Sequence, residues 1–141
     1  MQPVSEVAPV RVLVADDNAD ALEVMRCLFE SLGCDVKVAN DGKEAVDVAP
    51  RFEPELLVLD VDMPKMDGCE AARTLRQQAW AAGAIFVACT ALTGRQIVER
   101  IRKCGFHGYF TKPAPFERFE ALVLAIRCRG RQGHVAPRTG R

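Results

Sequence analysis

Short apolar runs alternate with helically spaced apolar residues five times along this chain, and that alternation restricts the fold more than any other feature. The first run, Val10 to Ala15, is continuous apart from Arg11 and ends at the acid pair Asp16-Asp17. Leu22, Met25, Phe29 and Leu32 then recur at the spacing of one helix face, which Gly33 closes. Val36 and Val38 flank Lys37 in a short strand, and Ala45, Val46, Val48 and Ala49 suit a short helix that Pro50 and Pro54 terminate. Leu56–Asp60 reads as a third strand, with Ala71, Ala72, Leu75 and Ala79 marking the helix after it. Ala84–Cys89 is a fourth strand, followed by Thr90 and by Ile97, Ile101 and Cys104 at helical spacing before Gly105. Tyr109–Thr111 is a short fifth strand, and Phe116, Phe119, Val123 and Ile126 stripe a last helix.

Five β-α units in sequence call for a parallel sheet covered by helices on both faces, an α/β doubly wound (βα)5 domain. The first, third and fourth strands are the most continuously apolar, as strands covered on both sides should be. The second and fifth are short, and Lys37 sits in the middle of the second, a common protection for an edge. A central 1-3-4 flanked by 2 and 5 gives the order 2-1-3-4-5, which is flavodoxin-like. Its ligand crevice lies at the C-terminal ends of strands 1 and 3. Asp16, Asp17 and Asp60 stand at those ends.

Carboxylates held together repel one another unless a cation compensates. A small hard cation with oxygen ligands does so, and Mg²⁺ takes one or two carboxylates, waters and a phosphate oxygen. Asp17 and Asp60 are the natural direct ligands, Asp16 acts directly or through water, and the backbone carbonyl of Asp62 completes the set. A carboxylate can also attack phosphorus to form an acyl phosphate. Metal on one side and the ammonium of Lys112 on the other would neutralise the charge that spreads during phosphoryl transfer. Thr90 adds a hydroxyl for a phosphoryl oxygen, and the small Ala91 leaves room for the group to enter. Each residue also has an ordinary explanation: Asp16, Asp17 or Asn18 as a helix cap, Asp67 with Gly68 in a turn, Lys112 as a surface lysine, Tyr109 as edge packing. The coincidence of acids, Thr90 and Lys112 at four strand ends argues against all of these holding together.

A chain of 141 residues suffices for one domain with a real core. Residues 1–128 hold 15 basic and 19 acidic residues, a net of −4, while the last thirteen hold four arginines and no acid. The organisation expected is therefore a flexible N-terminus at 1–9, a folded domain at 10–128, and a basic, disordered tail or linker at 129–141. The start MQPVSEVAP lacks the pattern of a signal peptide, and no apolar stretch approaches membrane-spanning length, so the chain reads as cytoplasmic, with no membrane partner. Nucleic-acid binding by the tail is the weaker reading of its arginines. The six cysteines form no CxxC pair and read as free thiols, most of them buried, with Cys69 and Cys128 the most exposed.

Taken together, Val14-Ala15-Asp16-Asp17-Asn18, the segment Leu59 to Gly68 around Asp60, Thr90-Ala91 and Lys112-Pro113 resemble the receiver domains of two-component response regulators and hybrid histidine kinases. The likeness covers about residues 10–128. It implies that Asp60 accepts a phosphoryl group from phosphohistidine on a sensor histidine kinase or histidine phosphotransfer domain, with Mg²⁺ at Asp16, Asp17 and Asp60. It implies that Lys112 pairs with the phosphoryl group, that Thr90 and Tyr109 move together as a switch, and that the face of the fourth helix, fifth strand and fifth helix is reshaped, a face through which a homodimer could also form. A cis peptide before Pro113 is a further family trait. Such a domain is not an enzyme in the ordinary sense, since it catalyses only its own phosphorylation and dephosphorylation. Asp62 and Leu92 occupy positions that influence phosphoryl lifetime, and an apolar Leu92 orients water poorly, so slow dephosphorylation is expected. No output domain is expected after residue 128, which fits a stand-alone receiver or one cut from a larger protein. Two alternatives differ in class: a docking receiver that works without phosphorylation, and a haloacid-dehalogenase-type phosphatase using Asp60-Val61-Asp62. The second requires that motif on the first strand, whereas here it closes the third.

Overall fold

Strands β1 (Arg11–Ala15), β2 (Asp35–Ala39), β3 (Leu56–Asp60), β4 (Ile85–Thr90) and β5 (Gly108–Thr111) form one sheet in the order β2-β1-β3-β4-β5. Every pairing is parallel, which is the flavodoxin-like arrangement expected. The computed structural model describes residues 8–113 and 115–135, so the expectations for residues 1–7 and 136–141 lie outside the described residues. The helices are α1 (Ala19–Ser31), α2 (Gly42–Phe52), α3 (Gly68–Arg76), α4 (Arg95–Lys103) and α5 (Phe116–Val135), with a 3₁₀ turn at Ala79–Gly83.

Alternation along the strands divides the core in two. Leu13, Leu57, Leu59, Phe86 and Ala88 face α2, α3 and α4, meeting Ala45, Ala72, Leu75 and Ile101. Val12, Val14, Leu56, Val58 and Val87 face α1 and α5, meeting Leu22, Phe29, Phe119, Val123 and Ile126. Phe119 stands edge-on to both Phe29 (5.4 Å) and Phe110 (4.9 Å), so α5 is held to α1 and to β5 through one buried ring. Three helices start on side-chain caps: Asn18, Asp41 and Asp67 each accept a backbone N–H three residues on.

Four local expectations are corrected. Pro50 does not end α2, which runs to Phe52 and closes on Glu53 in the left-handed region (φ 51°). Proline there removes one late hydrogen bond on an exposed turn, where water replaces it. Ala79 does not extend α3, which ends at Arg76, and belongs instead to the 3₁₀ turn. The last helix continues through Val135, seven residues past the boundary drawn at 128, since no proline interrupts residues 116–136 to stop it. Cys69 is buried, because α3 turns its Cys69, Ala72 and Leu75 face into the core.

The exposed cysteines are Cys27 and Cys128, and the four others are buried. Burial pushes the Cys69 thiol up to about 12, reinforced by the neighbouring Cys104 thiol, and burial pushes Cys89 up to about 11. Thiolate is the reacting form, so an aromatic disulfide reagent should label exposed Cys128 and, more slowly because its hydrogen bond to the Glu23 carboxylate raises it, Cys27 in the native protein, and the rest only after denaturation. A third reactive thiol without denaturant would contradict this packing.

Candidate functional site

The C-terminal ends of β1, β3, β4 and β5 meet at one rim because the strands are parallel and in register. Asp16 follows β1 and its N–H continues the ladder to the Ala39 carbonyl (3.1 Å). Asp60 is the last residue of β3, Thr90 the last of β4, and the Lys112 N–H extends β5 onto the Thr90 carbonyl (2.8 Å). Asp16, Asp60 and Thr90 are buried (6%, 5% and 1% exposed), the polar members of an otherwise apolar core, while Asp17 is exposed.

The Lys112 ammonium donates to Asp16 Oδ2 at 2.8 Å and to Asp60 Oδ2 at 3.2 Å. The other oxygens accept backbone donors: Asp16 Oδ1 from the Asn18 N–H (2.9 Å) and Asp60 Oδ1 from the Asp62 N–H (3.2 Å). Burial raises the Asp60 carboxyl above its ordinary value. The Asp62 N–H pulls the other way, the Asp16 charge adds to the rise, and Lys112 offsets part of it. Burial alone would lower Lys112, but its bond to Asp16 and the two carboxylate charges hold it above its usual range. The ammonium is thus fixed in the charged state between two acids.

Asp16, Asp17 and Asp60 each offer a carboxylate oxygen within 4.8 Å of the others. One lysine does not balance three carboxylates, and the donor set is all hard oxygen, which fits Mg²⁺ rather than a metal that prefers nitrogen or sulfur. Asp62 is exposed, and its N–H bonds Asp60. The Thr90 hydroxyl oxygen accepts the Leu92 N–H (2.9 Å), which bends the chain away after β4. Tyr109 lies inside β5, paired with Ala88, and is 44% exposed, so it stands at the edge of the sheet apart from the rim. The peptide Lys112-Pro113 is cis, as the resemblance implied.

Sequence reasoning missed how firmly the loop after Asp60 is held. The Gly42 N–H donates to the Met66 carbonyl (2.9 Å), the Gly68 N–H donates to the Val61 carbonyl (3.1 Å), and Asp67 pairs with Arg100 while capping α3. Lys65 takes a positive φ of 67° inside that loop. The pair Asp67-Gly68 was a legible turn signal, whereas Gly42 lies far away in sequence and carried none.

A family model described as the response regulator receiver domain matches residues 12–124. The transcriptional regulatory protein PdtaR of Mycobacterium tuberculosis (strain ATCC 25618 / H37Rv) is 38% identical over 124 residues, covering 84% of this chain and 57% of that protein. The chain therefore spans little more than half the length of that relative. The polar-differentiation response regulator DivK of Brucella anthropi is 30% identical over 111 residues, covering 79% of this chain and 90% of that protein. Among solved structures, the receiver domain of a sensor histidine kinase from Pseudomonas aeruginosa PAO1, determined with a magnesium ion coordinated in its active site cleft, is similar at a TM-score of 0.78 and 26% identity. That match covers 86% of this chain and 99% of the solved one.

Proposed function

The chain belongs to the response regulator receiver domain family, and from that premise we propose that Asp60 is its phosphoacceptor, served by Lys112 and Thr90. A receiver is a phosphoacceptor signalling switch, so the question is which residues of this chain perform each part. The observation that carries the reading is the Lys112 ammonium held between two buried carboxylates at the strand ends. An Asp60 oxygen attacks phosphorus, the bond from phosphorus to the donor's imidazole nitrogen breaks, and an acyl phosphate remains on Asp60. Lys112 is already in hydrogen-bonding distance of Asp60 and needs only to exchange partners to meet the new phosphoryl oxygens. Asp16, Asp17 and Asp60, with the carbonyl of Asp62, would hold Mg²⁺, which supplies neutralisation of the phosphoryl charge. The domain is modified once rather than turning over substrate.

Switching follows from competition for Thr90. Its hydroxyl now accepts from Leu92, and turning toward a phosphoryl oxygen would release that bend. One charge-assisted hydrogen bond of about 1.5–3 kcal/mol changes a two-state ratio roughly ten- to hundredfold. Tyr109 on β5 would follow Thr90, altering the face formed by α4, β5 and α5, which could also serve a homodimer. Exposed Leu92 brings no polar atom to orient water, in keeping with slow hydrolysis.

A groove of about 650 Å³ supports a macromolecular phosphodonor. It runs from Asp16 and Lys112 along α1 to the start of α5, and Val24 and Phe116 line it at 53% and 54% exposure. An apolar platform beside the acceptor suits a helical histidine kinase or phosphotransfer domain. No helix among the described residues is long and apolar enough to cross a membrane.

The test is to map the modified residue. Incubation with Mg²⁺ and acetyl phosphate, then borohydride reduction of the acyl phosphate, should convert Asp60 alone to homoserine in the peptide carrying residues 56–65. Conversion of Asp16, Asp17 or Asp62 instead would overturn the assignment.

A further inference from the structure

We propose that the cleft between α3 and α4 is a second anion site, separate from the acidic rim, that binds a pyrophosphate-bearing ligand of nucleotide size. The cleft measures about 410 Å³, within the range of small-molecule sites, and Arg73, Arg95, Gln96, Glu99, Arg100 and Lys103 line it. Arg73 comes from α3 and the others from α4, so cations stand on both walls of one concave volume.

Charge is segregated toward this place. Helices α3 and α4 and the cap Asp67 carry six basic residues (Arg73, Arg76, Arg95, Arg100, Arg102, Lys103) against Asp67, Glu70 and Glu99. The remainder of residues 1–128 holds nine basic and sixteen acidic residues. The cleft is thus basic on a chain that is acidic elsewhere, and its concave low-dielectric walls focus the field of the cations that line it.

The cations are also largely uncommitted. Among the described residues Arg95 and Lys103 have no acidic partner, and the Arg73 guanidinium meets only the Cys104 sulfur, at 3.6 Å. Glu99 is engaged by Arg102 from outside the cleft (3.5 Å). The pair Arg100–Asp67 ties α4 to the cap of α3 and so fixes the width of the opening. Helix α4 starts on Gly94 with no side-chain cap, and its first two residues, Arg95 and Gln96, line the cleft.

These features select the ligand. Guanidinium forks bind phosphate through two parallel hydrogen bonds, and converging cations favour a compact polyanion over a single charge. None of the lining residues is aromatic, so the stacking platform that single-stranded nucleic acid uses is missing.

The experiment is an amide-resolved NMR titration of the full chain in Mg²⁺-free buffer with sodium tripolyphosphate, with ATP, and with a short DNA duplex. Saturable shifts at Gly94–Lys103 and around Arg73, weakening as salt rises, are expected for the first two. Equal affinities would make the phosphate chain the ligand, and tighter ATP binding would make it a nucleotide; either supports the site. The double variant Arg73→Ala/Arg95→Ala should weaken binding about tenfold or more, while Arg11→Ala/Lys43→Ala leaves it unchanged. If the first pair fails to fold, the exposed Lys103→Gln provides the same comparison. Shifts centred on Asp16, Asp60 and Lys112, affinity undiminished in the cleft variants, or duplex DNA bound more tightly by the same residues would each overturn the proposal.

Discussion

Replacing Lys112 by alanine should slow phosphorylation of Asp60 by about ten- to hundredfold and, in the same protein, tighten Mg²⁺ binding. The two effects have opposite sign because one ammonium serves both. It lies 2.8 Å from Asp16 and 3.2 Å from Asp60, so it neutralises charge that a metal would otherwise see, and it is the cation nearest the group to be transferred. Removing a unit charge a few ångströms from the carboxylates should tighten the metal roughly tenfold after screening. Without metal the variant should also lose about 1–3 kcal/mol of stability at neutral pH, less than for a fully buried pair because the lysine side chain is 30% exposed. Asp60 already titrates above its ordinary value, chiefly through burial, and losing Lys112 raises it further. The stability deficit should therefore shrink as pH falls and Asp60 protonates, and added Mg²⁺ should restore it. Calorimetric Mg²⁺ titration together with thermal melting at several pH values reads all three effects. Unchanged metal affinity with unchanged phosphorylation would show that Lys112 is an ordinary surface lysine.

Gly68→Ala should be a severely damaging single-methyl change beside Asp60. A Cβ there would stand 2.2 Å from the Asp60 carbonyl oxygen and 3.2 Å from the Val61 Cα, and both obstacles are backbone. The start of α3 lies directly on the end of β3, so relief requires moving the helix or the acceptor strand. A loss of about 2–4 kcal/mol in urea-unfolding free energy is expected, with slower phosphorylation because Asp60 itself is displaced. Gly83→Ala is the control, since nothing lies within 4 Å of its Cβ, and it should stay within about 0.5 kcal/mol of the parent. Equal stability of the two variants would show that α3 and β3 are less closely packed than described.

The candidate site was legible because it is built from strand ends. A parallel sheet turns the sequence position after an apolar run into a place on one rim, so Asp16, Asp60, Thr90 and Lys112 could be assembled without knowing a single contact. The strand order followed from which runs were fully apolar together with the resemblance to receiver domains. Features set by contacts between distant segments were not legible. The sharing of Lys112 between two acids, the seat of Met66 on Gly42 and the pair Asp67–Arg100 each join residues 24 or more positions apart, and no local pattern records them. Cys69 misled because a residue just after a rim loop looks exposed, whereas the first turn of α3 is pressed against β3. Pro50 misled because a breaker near a helix end costs little when its turn faces water. The basic run in α4 was present at Arg95, Arg100, Arg102 and Lys103, but only the fold brings Arg73 across from α3 to make a cleft of it.

The central claim is most directly tested by intact-mass spectrometry of the chain after incubation with acetyl phosphate and Mg²⁺, beside Asp60→Asn and a chelator-treated sample. One added phosphoryl group on the parent chain, absent from Asp60→Asn and from the chelated sample, is the result expected. An unmodified parent chain that still binds Mg²⁺, or a phosphoryl group that persists in Asp60→Asn, would contradict the account.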